Sequence, residues 1–168
     1  AMAFVQEVKE LRYPCRGIVT DLDTVLTRAV EEEYPGKPHQ YCLKHALEAL
    51  ENLLGYKTLM VHRKRSQVKM RREFEALRDR KRLSLRRAEG RFLVQWQKTR
   101  EQSRNARAIG SLRDRCYAIL FARTEAEARE RLKDLRRTRS MLWTRKWKAV
   151  AFLERHWDRL MMHHRLRG

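Results

Sequence analysis

Hydrophobic positions are spaced differently in the first third of the chain than in the rest. Phe4, Val5, Val8 and Leu11 recur as one face of a short helix that Tyr13-Pro14 ends. The run Gly17-Ile18-Val19-Thr20 is short and β-branched, which predicts a strand over residues 17–21 with Asp21 at its end. Val25, Leu26, Ala29 and Val30 return to helical spacing, Glu31, Glu32 and Glu33 face water, and Pro35-Gly36-Lys37-Pro38 breaks the helix. Residues 38–41 read as a second extended piece. A second helix carries Ala46, Leu47, Leu50, Leu53 and Leu54 and stops at Gly55. The order strand, helix, strand, helix predicts two neighbouring strands in this part of the chain and almost nothing but helix after Leu43.

Past Gly55 the pattern changes. Residues 61–107 lack proline, hold the single glycine Gly90, and mix Arg, Lys, Glu, Leu and Ala, a composition of high helix propensity. Val68, Phe74, Leu77, Leu83, Leu85, Phe92, Leu93 and Trp96 give partial 3.6-residue spacing, so one or two long helices are expected with a narrow apolar stripe. The pattern breaks over residues 103–110, and Leu112, Cys116, Ile119 and Leu120 mark another helix. Thr124-Glu125-Ala126-Glu127 reads as a capping box opening a helix through Ala128, Leu132 and Leu135. A last amphipathic run holds Trp143, Trp147, Val150, Phe152, Leu153, Trp157, Leu160 and Met161, whose tryptophans read as core. Trp96, among Arg and Lys, is the one placed to stack on a base.

Charge sharpens the division. The 168 residues carry a formal net charge of +19. Residues 1–59 hold 7 basic and 9 acidic groups, residues 60–110 hold 17 and 5, and residues 111–168 hold 16 and 7. Such an excess costs self-repulsion in the folded chain and points to a polyanionic partner, nucleic acid before an anionic membrane. No apolar run approaches membrane-spanning length and the N-terminus lacks a signal-peptide layout, so an intracellular protein is expected, in the cytoplasm of a bacterium or the nucleus of a eukaryote. Cys15, Cys42 and Cys116 are too few and too dispersed for a disulfide framework and read as thiols.

Three places carry candidate chemistry. Asp21 at a strand end could hold a metal or polar substrate, or simply stop the strand. Asp23, beside the helix start, reads as its N-terminal cap. Cys42 and His45, three residues apart at a helix start, could give two ligands to zinc with His39, His62 or Cys15 completing the set, or be a buried thiol and a capping histidine. Arg71, Arg72, Lys81, Arg82, Arg86, Arg87 and Arg91 are the candidate DNA-binding residues of the basic stretch.

A strand ending in Asp21, a helix with Leu26 and Ala29 on its apolar face, Tyr34-Pro35, and then Gln40, Cys42 and His45 opening a helix together resemble the region around the second catalytic acid of Mutator-type DDE transposases. The resemblance covers roughly residues 13–54. It implies an α+β, mainly α chain: a partial RNase H-like βαβα unit over residues 1–55, then a basic all-helical insertion over residues 56–168. It further implies that Asp21 is a catalytic, metal-binding carboxylate. In that family three acids hold two divalent metals, Mg2+ or Mn2+, for DNA cleavage and strand transfer at transposon ends. The first acid is expected upstream of this chain and the third after a Thr-Asn-Asn motif that this chain lacks, so a fragment inactive alone is expected, its oligomeric state open. The reading from another class is a non-enzymatic helical nucleic-acid-binding module in which Asp21 only caps a helix.

Overall fold

A computed structural model describes residues 1–11, 15–78 and 85–166. Helix α1 (Met2–Glu10) precedes strand β1 (Ile18–Thr20), helix α2 (Thr24–Glu33), strand β2 (His39–Tyr41) and helix α3 (Leu43–Leu54). Then come α4 (Tyr56–Arg78), α5 (Leu85–Leu120), α6 (Glu125–Arg137), α7 (Trp143–Arg155) and two single turns, α8 (Trp157–Leu160) and α9 (Met162–Arg165). The described residues are mainly helical with one small two-stranded sheet. The strands are parallel, with Ile18 opposite His39 and Thr20 opposite Tyr41. A parallel pair needs a crossover, and α2 supplies it.

Local chemistry explains the boundaries. Asp23 accepts from the backbone N–H groups of Val25 and Leu26 at 2.8 and 2.9 Å, capping α2. Gly36 and Gly55 take positive φ, 78° and 66°, where a side chain would strain the turns that end α2 and α3. Thr124 accepts from the Glu127 N–H at 3.1 Å, and Glu127 returns a carboxylate to the Arg123 N–H at 2.7 Å, one residue earlier than the usual box.

Two expectations need correction. Residues 103–110 do not interrupt the helix: α5 runs unbroken for 36 residues. What changes there is its surroundings, because the first half of α5 faces α4 through polar groups and the second half enters the apolar core. The last amphipathic run is not one helix but three pieces, turning at His156 and Met161. These turns fold Trp157, Leu160 and Met161 back onto the core, whereas Trp143, expected inside, is 60% exposed.

The described residues form two apolar clusters. The larger joins Leu50 and Leu54 of α3, Ile109, Leu112, Cys116, Ile119 and Leu120 of α5, Leu132 and Leu135 of α6, Val150 and Leu153 of α7, and Trp157. Helix α3, on the N-terminal side of residue 55, therefore packs within the helical core. The smaller cluster has Val5, Ala29 and Val30 at its centre, with Ile18, Leu26 and Tyr34 against it. A cavity of about 330 Å³ opens there, lined by Val5, Cys15, Ile18, Leu26 and Tyr34 among others. No helix among the described residues is long and apolar enough to cross a membrane.

Candidate functional site

Asp21 lies one residue beyond β1, at the carboxyl end of the parallel pair, where open α/β sheets place their ligands. Its Oδ1 accepts from the Asp23 N–H at 3.0 Å, so the turn between strand and α2 holds the carboxylate. The expected strand over residues 17–21 is the shorter Ile18–Thr20, because Asp21 bends into this turn. Asp23 is committed to the cap. At the neighbouring strand end the Cys42 N–H donates to the Thr20 carbonyl at 2.6 Å, which sets Cys42 beside the end of β1.

A chain of polar groups braces that end of the sheet from behind. His39 is 8% exposed; its Nε2 lies 2.7 Å from Thr20 Oγ1 and its Nδ1 3.5 Å from Arg159 Nη1. A guanidinium only donates, so Nδ1 accepts, Nε2 carries the proton and donates to Thr20, and the threonine hydroxyl donates onward to the Asp21 carbonyl at 3.0 Å. Burial holds the His39 pKa below the ordinary imidazole value, in keeping with a neutral ring. Arg159 also donates to Tyr41 Oη at 3.1 Å and pairs with Glu31. The C-terminal turn α8 thereby fixes β2 and, through the His39–Thr20 bond, the end of β1 that precedes Asp21.

Cys42 occupies the N-cap position of α3 without a side-chain capping bond and is half-buried; His45 is exposed one turn on. The fold does not gather the zinc candidates: among the described residues no three His, Cys, Asp or Glu side chains form a group able to hold a metal ion. Cys15 instead lines the N-terminal cavity and His62 stands exposed on α4. The three cysteines are free thiols, and burial pushes the Cys116 pKa up to about 12, making it an inert core group. Two divalent ions need more carboxylates than Asp21, so the described residues alone do not fit a two-metal centre.

The second candidate surface is the antiparallel hairpin of α4 and α5. Helix α4 carries eight basic and two acidic residues, α5 nine and three. Arg71, Arg72, Arg86, Arg87 and Arg91 are exposed there; Lys81 and Arg82 lie outside the described residues. The seam between the helices is polar. Ser66 Oγ and Thr99 Oγ1 lie 2.9 Å apart, and the Gln95 amide donates to Ser66 Oγ at 2.8 Å. Such a seam leaves apolar side chains outside, among them Val68, Phe74, Leu93, Val94 and Trp96, the last 42% exposed with the Arg100 guanidinium 5.4 Å from its ring. This arrangement escapes a sequence reading based on hydrophobic period, since the residues that join the helices are Ser, Thr and Gln. Comparison with protein-family models, with characterised proteins and with solved structures finds no match for this chain.

Proposed function

We propose that this chain is the second-acid portion of a DDE transposase, with a partial RNase H-like βαβα unit and a DNA-binding helical insertion. The observation that carries the reading is Asp21 at the carboxyl end of a parallel βαβ unit, with Cys42 tied alongside it through the Thr20 carbonyl. Asp21 then supplies one carboxylate to a Mg2+ or Mn2+ centre whose other acids come from outside the described residues. Thr20, His39 and Arg159 position it. The α4–α5 hairpin binds the DNA of the transposon end through phosphate contacts.

The test uses the complete reading frame of the parent gene, incubated with transposon-end DNA and Mg2+ or Mn2+. Cleavage and strand transfer are expected, and Asp21→Asn should abolish both while leaving DNA binding and the thermal midpoint intact. Undiminished cleavage by that variant overturns the assignment of Asp21. The present chain by itself is expected to bind Mn2+ weakly and to cut no DNA. A purely DNA-binding module is the second reading, favoured by the extent of the basic hairpin; it predicts duplex binding with no cleavage by the complete protein either.

A further inference from the structure

Three of the eight basic residues of α4 and three of the nine of α5 fall into rows. On α4, Arg65, Lys69 and Arg72 follow one another at i, i+4 and i+7; on α5, Arg87, Arg91 and Lys98 stand at i, i+4 and i+11. At 3.6 residues per turn each set falls on one narrow face of its helix. The structure turns parts of the two rows toward each other. Lys69, Glu73, Arg87, Arg91 and Lys98 line a groove of about 540 Å³ between the helices, and Lys69 and Glu73 continue it into a depression of about 660 Å³ on α4 that adds Arg65 and Arg72.

Helices ordinarily avoid this spacing for like charges, since pairs at i, i+4 repel by a few tenths of a kcal/mol. Helix α6 of the same chain uses it for opposite charges, Glu125 with Arg129 at 2.7 Å and Glu127 with Arg131 at 2.6 Å. In the groove Glu73 is the one lining carboxylate among the described residues, and it lies 3.7 Å from Arg91. The floor is open at Gly90, where an added Cβ would meet nothing within 4 Å.

We infer that this groove seats one sugar–phosphate strand of duplex DNA, with Lys69, Arg87 and Lys98 each neutralising a phosphate; this rests on the reading of the hairpin as a DNA-binding element and gives it a location. The α5 row spans about 16 Å at 1.5 Å per residue. That length matches roughly five nucleotides of one strand at 3.4 Å each. Backbone contacts of this kind set register and carry no base preference.

The test measures anisotropy of a labelled 20-base-pair duplex of random sequence with the full chain over a salt series. Replacing Lys69, Arg87 and Lys98 together by Gln should lower the magnitude of the log K against log salt slope by about 2.7, three contacts at about 0.9 each. Replacing Lys57, Arg104 and Arg107, exposed on the same helices away from the groove, by Gln should leave the slope within about 0.5 of the native value. Gly90→Glu, which puts a carboxylate in the groove, should weaken binding at least tenfold, while Gly90→Ala should not. Equal slope changes for the two triple variants overturn the groove and leave the hairpin's DNA-binding role standing. No duplex binding by the native chain at low salt overturns both, and displacement of the duplex by poly-glutamate as readily as by unlabelled duplex overturns the choice of DNA over an acidic protein.

Discussion

The two halves of α5 are built on opposite principles, although they belong to one helix. Its second half buries Ile109, Leu112, Cys116, Ile119 and Leu120 in the larger core with α3, α6 and α7. Its first half meets α4 through Gln95, Thr99 and Ser66, buries small apolar residues such as Ala88 and Ala106, and shows Leu93, Val94 and Trp96 to solvent. Burial of large side chains stabilises a bundle; a seam of hydroxyls and an amide aligns two helices with little net gain per bond. The hairpin is therefore an arm held by the bundle at its base. Like charges recur at i, i+4 on the arm, and opposite charges pair at that spacing on α6.

The largest contrast lies in side-chain truncation. Leu153→Ala, in the core at 0% exposure, should cost about 2–5 kcal/mol, whereas Phe74→Ala on the arm should cost well under about 1 kcal/mol. Urea denaturation of the two variants measures the difference, and equal losses would mean that the arm has a core of its own.

A smaller effect separates the bundle from the arm by pH. His39 and His156 both have their pKa lowered by burial, and both belong to the strand and bundle side. Below the ordinary imidazole value of about 6.5 the unfolded chain binds protons that these rings resist in the fold, so stability falls as pH drops through that range and is flat above it. The thermal midpoint should decline from pH 7 to pH 5, and His39→Asn should remove part of the decline, His156 accounting for the rest. Unchanged pH dependence in that variant would show that His39 titrates normally.

The smallest expected effect has opposite signs in the two regions. Arg87→Glu on the arm replaces a like-charge neighbour of Arg91 with an opposite one and should stabilise by roughly 0.2–0.5 kcal/mol. Glu127→Lys on α6 breaks the pair with Arg131 and the cap at Arg123, and should destabilise by at least as much. Chemical denaturation resolves the signs, and destabilisation by Arg87→Glu would mean that the Arg87–Arg91 pair is not repulsive.

The sequence by itself determined the features whose causes are local. The β-branched run and the Asp23 cap placed β1 and α2, Gly55 placed the end of α3, and Thr124 and Glu127 placed the start of α6, because each depends on backbone preferences and hydrogen bonds within four residues. Asp21 was legible as a candidate for the same reason. Tertiary structure decided what depends on partners distant in the chain. It made α5 continuous through residues 103–110, where the apolar pattern pauses because the helix passes from a polar seam to the core. It exposed Trp143 and buried Trp157 on one amphipathic run, since the turn at His156 redirects the chain. It brought Arg159 to His39, 120 residues away, and turned two rows of cations into one groove. Helical period says which side chains share a face; only the packing of that face against another element says what they touch.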